Sequence, residues 1–333
     1  MKQLIKWLIK VFAAGCIAFA ALSLFAFFHY NVPVHYDNPS GATEYVWESH
    51  KFYSKGTEGF ALGRTNDEGF NNLLDRSEAG DIDILLMGSS HTEGFNVSQD
   101  ENMGAVINRL FEGEKYCYNI GTAGHSLPYC VKNLAAALDE YRPAEYVLLE
   151  SYGVEYSAKE LQKVVDGELA HIPSHNGGIV GLLQKLPYLR LFYTQFFKGG
   201  GQAFDGVAAL GAKEESGISY EQALDGFLDM LAETCRERSV TPIIVHNRNV
   251  EIAPDGSGYF SGDEQQLECF ARLCKEKGIV FIDLRQSIMA LYEQEHKLCY
   301  GFSNTSPGMG HMNALGHSVF AEETVRCIRE MEG

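Results

Sequence analysis

The stretch Ile82-Asp83-Ile84-Leu85-Leu86-Met87-Gly88-Ser89-Ser90-His91-Thr92-Glu93-Gly94 runs from a largely apolar segment directly into a glycine-bounded turn with two serines. Such a short apolar run reads as a strand buried on both faces. A serine on a tight turn after that strand stands exposed at the end of a sheet, although it also suits the cap of a following helix. The C-terminal region offers it a partner: Gly310-His311-Met312-Asn313-Ala314-Leu315-Gly316-His317 opens the last amphipathic stretch. A histidine brought to the serine acts as general base, so the two segments outline an acyl-transfer site.

Outward from this strand, apolar runs at 82–88, 116–120, 145–150, 241–246 and 279–283 predict strands, and helical spacing marks 102–112, 128–141, 219–238 and 263–277. The alternation predicts an α/β fold: a three-layer sandwich with a mostly parallel five-stranded sheet covered on both faces, its ligand site beyond the strand C-termini. Residues 31–79, rich in aromatic and turn residues such as Pro33, Pro39, Phe52 and Phe60, read as an extracytoplasmic connector packed on the main domain at 80–333. The segment 155–218 breaks the alternation with Gly177-Gly178, Gly199-Gly200-Gly201 and an aromatic cluster at Tyr188, Phe192, Tyr193, Phe196 and Phe197. It reads as an insertion over the site mouth or, equally, as a helical hairpin completing the core.

The N-terminus has a different character. Lys2, Lys6 and Lys10 precede an uncharged run from Val11 to Phe28. With Lys6 and Lys10 snorkelling, residues 4–28 suffice for one membrane span, so residues 1–30 are expected to anchor the chain in the cell membrane. The lysines predict a cytoplasmic N-terminus and an extracytoplasmic catalytic domain. A signal peptide cleaved near Ala18-Phe19-Ala20 is the alternative. The formal net charge of −17 argues against a nucleic-acid partner. Eight cysteines stand singly at 16, 117, 130, 235, 269, 274, 299 and 327, without a CxxC pair or a metal-ligand spacing. Neither metal nor cofactor is expected, and Cys117, Cys130, Cys269 and Cys274 read as small buried hydrophobes.

The serine and histidine blocks together resemble the SGNH (GDSL-like) hydrolase superfamily. Ser90 stands at its nucleophile position, Ser89 replaces its aspartate and Gly94 matches its closing glycine; His311, Asn313, Gly316 and His317 match its last block. Its second block, Asn-x-Gly-x-x-Gly, is present as Asn119-Ile120-Gly121-Thr122-Ala123-Gly124. The resemblance implies an oxyanion hole made by the backbone N–H groups of Ser90 and Gly124, with Asn119 and Gly121 in support. Two departures matter. Glu150-Ser151-Tyr152-Gly153-Val154-Glu155 stands where Gly-x-Asn-Asp is usual, so Val154 offers no donor, and Tyr152 or Ser151 is a candidate substitute. Gly308 occupies the place of the aspartate three residues before the histidine, which leaves a backbone carbonyl of residues 302–307 or the side-chain oxygen of Asn304 to orient His311. A Ser90–His311 dyad is the working scheme; His91 and His317 compete as bases.

Together with the anchor, the variant Gly-Ser-Ser-His is similar to a membrane-anchored branch of bacterial envelopes that includes polysaccharide O-acetyltransferases and the D-alanine transfer protein of teichoic acid synthesis. That resemblance implies serine-dependent acyl transfer, or O-acyl ester hydrolysis, on an envelope glycan, with a membrane acyl-delivery protein as a candidate partner. A lipid or small-ester hydrolase and a catalytically degenerate binding protein are the alternatives.

Overall fold

The computed structural model describes residues 1–172, 188 and 217–333. The chain leaves α1 (Lys2–His29) directly into β1 (Tyr30–Asn31). Strands β2 (His35–Asp37) and β3 (Tyr45–Trp47) pair antiparallel; β4 (Phe52–Lys55) and β5 (Ala61–Arg64) form a hairpin, and β4 also pairs with β1. The α/β domain follows with β6 (Ile84–Met87), α2 (Ser90–Glu93), α3 (Met103–Phe111), β7 (Cys117–Asn119), α4 (Leu127–Tyr141), β8 (Tyr146–Tyr152) and α5 (Ala158–Val165). After the undescribed segment come α6 (Tyr220–Glu237), β9 (Thr241–Asn247), the small pair β10 (Glu251–Ile252) and β11 (Gly258–Tyr259), α7 (Glu264–Glu276), β12 (Val280–Asp283), α8 (Arg285–Glu295) and α9 (Ala314–Glu332).

The central sheet has the order β12-β9-β8-β6-β7, and each of its pairings is parallel. Each strand alternates between two cores. Leu85, Met87, Val147, Leu149 and Ile244 face one side, covered by α4, α5, α6 and α7, while Ile84, Leu86, Leu148, Ile243 and Val245 face the other with residues of α3, α8 and α9. Burial on both faces is why the strands read as continuous apolar runs, each side chain contributing ~1.5–3 kcal/mol when fully buried. Because the chain goes from β6 out to β7 and then returns to β8, the order reverses between β6 and β8. Sheets of this kind bind ligands beyond the carboxyl ends at such a reversal, and the Gly88–Gly94 turn stands there.

Helix ends follow local chemistry. Ser219 and Gln222 form a reciprocal capping box on α6, and the Asn313 side chain accepts from the N–H groups of Leu315 and Gly316 to start α9. Two helices, α5 and α8, lie outside the expected set; α5 fills the beginning of the expected insertion and packs on α4 and α6. The glycine clusters and the Phe192–Phe197 aromatics lie outside the described residues. Helix α1 has a mean hydropathy of 2.4 over its most apolar 18-residue window, and it is long and apolar enough to cross a membrane. All eight cysteines are free thiols; those at 117, 130, 235, 274 and 299 are buried.

Candidate active site

Ser90 is the first residue of α2, immediately past the end of β6. The turn is held from below by Glu150 on β8. Its Oε2 accepts from the Ser89 backbone N–H at 3.0 Å and from the Ser89 hydroxyl at 2.7 Å, and its Oε1 accepts from the Asn247 amide at 2.8 Å. Gly88 is required by this close approach: a Cβ there would lie 2.1 Å from Thr92 Oγ1 and 2.7 Å from Glu150 Cβ. Ser89 is thus tied down beneath the turn, its hydroxyl donating to Glu150, while Ser90 Oγ faces His311.

His311 Nε2 lies 2.9 Å from Ser90 Oγ. Its other ring nitrogen, Nδ1, lies 2.6 Å from Glu58 Oε2, and its backbone N–H donates to Glu58 Oε1 at 2.7 Å. A carboxylate at Nδ1 holds the proton on that nitrogen, which leaves Nε2 to accept from the serine hydroxyl. The working dyad is therefore corrected to a chain of three groups, Glu58–His311–Ser90. Its acid comes from the β4–β5 loop, 253 residues away in sequence. The carboxylate lies over Gly310, where a Cβ would stand 2.3 Å from Glu58 Oε1. Burial alone would raise the Glu58 carboxyl, but the hydrogen bonds and charge of His311, with the Lys55 ammonium, hold it down to about 2.

Asn304 is corrected accordingly. It does not orient the imidazole. Its Oδ1 accepts from the Gly59 N–H at 2.9 Å, and its amide donates to the carbonyls of Gly59 at 2.9 Å and Gly56 at 3.1 Å. It clamps the loop that presents Glu58. From the other side, Asn96 donates to both the backbone carbonyl and Oε2 of Glu58, each at 3.2 Å.

On the oxyanion side, the N–H groups of Ser90 and Gly124 make no hydrogen bond to another described residue. Gly124 has φ of +83, and a Cβ there would meet nothing within 4 Å. Asn119 is buried; its amide donates to Thr92 O at 2.7 Å and its Oδ1 accepts from the Gly121 N–H at 2.8 Å. Gly121 lies against α2, where a Cβ would stand 2.5 Å from Glu93 N. Asn119 and Gly121 thus join the 119–124 turn to α2. The neighbouring Ala123 N–H donates to Glu93 Oε1, and Tyr45 donates its hydroxyl to Ala123 O.

The expected donor substitutes are occupied elsewhere. Ser151 Oγ donates to Gly153 O at 2.6 Å, and the Tyr152 hydroxyl donates to Asn249 Oδ1. These bonds take both hydroxyls from the oxyanion role; that of Ser151 is buried and needs such a local partner. The Tyr152 ring instead stacks on His91, with centroids 5.3 Å apart. His91 Nδ1 accepts from the Met312 N–H at 3.0 Å, and burial pushes its pKa down to about 4. His317 Nδ1 accepts from the Met103 N–H at 3.1 Å, deep in the core. Neither competes with His311 for the serine. Among the described residues no group of three or more His, Cys, Asp or Glu side chains is arranged to hold a metal ion.

No protein-family model matches the chain, and no curated protein does. Among solved structures, the psychrotrophic esterase EstA from Pseudoalteromonas is similar at 11% identity and a TM-score of 0.40, covering 74% of this chain and 97% of that one. An α/β hydrolase from the metagenome of Lake Arreo in Spain is similar at 12% identity and a TM-score of 0.41, covering 74% and 94%. An acetyl xylan esterase is similar at 11% identity and a TM-score of 0.41, covering 74% and 98%. These likenesses are distant.

Proposed function

We propose that the chain is a serine-dependent acyl-ester enzyme of the bacterial envelope that transfers an acyl group to a glycan hydroxyl through an acyl-Ser90 intermediate. The observation that carries this reading is the continuous hydrogen-bonded chain Glu58–His311–Ser90. As Ser90 Oγ attacks the donor carbonyl, His311 Nε2 takes the hydroxyl proton, and Glu58 stabilises the imidazolium without itself taking a proton. The N–H groups of Ser90 and Gly124 face the developing oxyanion. When the donor ester bond breaks, His311 returns the proton to the departing oxygen. An acceptor hydroxyl then gives its proton to His311, attacks the acyl carbon and releases Ser90.

The altered third block favours transfer over rapid hydrolysis. Losing one oxyanion donor costs ~10²–10³ in rate for attack by water and sugar alike, so a bound acceptor positioned for attack gains the advantage over water. A degenerate binding protein has no need of a half-buried carboxylate aligned on the imidazole. The test incubates the purified full-length protein with an activated acetyl ester, with and without envelope oligosaccharides, and follows acyl-Ser90 and acylated sugar by mass spectrometry. Acyl-enzyme formed by the wild type but not by Ser90→Ala, and discharged faster by the sugar, is the expected result. Rapid discharge to water whatever the acceptor would identify an esterase, and the absence of acyl-Ser90 under all conditions would leave a binding protein.

A further inference from the structure

We propose that the outward face of the β4–β5 hairpin lies in the membrane interface, so that Glu58, His311 and Ser90 work at the bilayer surface on an ester held in the membrane. The inference rests on α1 crossing the membrane and on the acyl-ester reading above.

The hairpin that presents Glu58 is joined to the end of α1 by more than the chain. Tyr30 pairs with Lys55 and Asn31 with Ser54, so the first residues beyond α1 form the neighbouring strand. The Ser54 hydroxyl donates to the Phe27 carbonyl, and the Gly56 N–H donates to the His29 carbonyl at 2.9 Å. Gly56 sits close enough that a Cβ would stand 2.8 Å from the Phe28 carbonyl oxygen. Two residues later comes Glu58. The last turn of the apolar helix and the acid that orients the catalytic histidine thus belong to one hydrogen-bonded unit.

The register divides this unit into two faces. Tyr53 and Ala61 point inward and are buried with Phe95. Phe52 and Leu62 lie on the opposite face, 69% and 45% exposed, and Phe60 at the loop end is 61% exposed. The Phe60 ring lies 6.5 Å from that of Phe28, itself 42% exposed at the end of α1. An aromatic and aliphatic ridge therefore continues the apolar surface of α1 past its last turn. Interfacial aromatic residues anchor membrane proteins at this depth, and the continuity with α1 identifies the bilayer as the occupant of the ridge.

The chain carries two tryptophans, Trp7 in α1 and Trp47 in β3, which supply an internal control. Full-length protein is reconstituted in phosphatidylcholine–phosphatidylglycerol vesicles, with or without brominated acyl chains, and tryptophan quenching is read for the wild type, for Trp7→Phe, and for Phe52→Trp, Phe60→Trp and Tyr259→Trp each on the Trp7→Phe background. Quenching of Trp7 and of the added tryptophans at 52 and 60, but not at 259, is the expected pattern. Quenching of Trp7 without quenching at 52 and 60 overturns interfacial docking and leaves the ridge to water or to a protein partner. An unquenched Trp7 removes the span and the proposal with it. For the substrate, Phe52→Ser/Leu62→Ser should slow turnover of a long-chain ester embedded in the vesicles by about tenfold while a short soluble ester is unaffected. Equal rates for wild type and variant on the embedded ester overturn the membrane-held substrate. Failure to turn over either ester defeats the acyl-ester reading, while the quenching still decides the docking.

Discussion

Glu58 changes what the site can do. An imidazole with no orienting acceptor loses roughly 10⁴ in rate where the third group is essential, and the gap at Gly308 puts this chain in that position until the hairpin closes over it. Glu58→Gln should lower kcat/KM on an activated ester by roughly 10³–10⁴, because an amide at Nδ1 no longer favours the productive tautomer. Combined with Ser90→Ala it should add little, since the three groups act as a unit. Asn304 acts through Glu58, by three hydrogen bonds to the 56–59 loop. Asn304→Ala should therefore cost about tenfold in the wild type and almost nothing on the Glu58→Gln background, a coupling that a double-mutant cycle measures directly. Equal losses on both backgrounds would mean that Asn304 serves folding and not the acid. Ser90 and His311 were legible because each lies in a short block whose neighbours are spaced by one turn of chain. Glu58 carries no such mark: nothing around Gly56-Thr57-Glu58-Gly59 distinguishes it from a surface turn.

At the scale of elements, the segment from His311 into α9 does two jobs. Asn313 caps the helix with its side-chain oxygen and, with its amide, donates to the carbonyls of Leu298 and Gly301, which sets the turn that aims His311. One turn into the helix, His317 is only 1% exposed and accepts the free N–H at the start of α3, so it fastens α9 to α3 rather than serving the reaction. Burial, with the charges of His91 and His311, holds its pKa down to about 3. It is neutral in the native state and titrates near 6.5 when unfolded, so the unfolded chain binds the extra proton and stability falls as pH drops from about 6.5 towards 3. Denaturant unfolding of His317→Gln, which keeps an acceptor for Met103, should show an acid limb shallower by up to about 1.4 kcal/mol per pH unit. Parallel limbs for the two proteins would remove His317 from the account. The sequence marked the element boundaries well here because capping residues act locally; which side of α9 was buried depended on α3, a distant helix.

For the whole molecule, the arrangement is an α/β domain whose Ser90–His311 pair receives its carboxylate, Glu58, from a small sheet growing out of the N-terminal helix. We propose, from the lysines before the apolar run and the charge rule, that the N-terminus is cytoplasmic and the site lies outside. A cysteine introduced at Gln3 should react with a membrane-impermeant maleimide only after permeabilisation, and one at Asp255 should react in intact cells. Five of the eight native thiols are buried and Cys16 lies in α1, so the labelling uses a Cys269→Ser/Cys327→Ser background, in which the half-buried thiols are gone. The opposite labelling pattern, or a mature chain that begins after Ala20, would defeat the anchored topology.

Most of the layered architecture was determined by sequence alone. Continuous apolar runs report burial on both faces of a parallel sheet, and the periods of strand and helix are local properties of the chain. The nucleophile turn and the histidine block were likewise written in contiguous residues. Only the tertiary structure decided which carboxylate orients His311, what Asn304 holds, where the Tyr152 hydroxyl goes and which histidines are buried neutral. Each of those depends on contacts between residues far apart in sequence: the first two form where the hairpin beyond α1 packs over a glycine left bare at position 310, the others where β8 meets the loop after β9 and where Met312 and α9 meet α2 and α3.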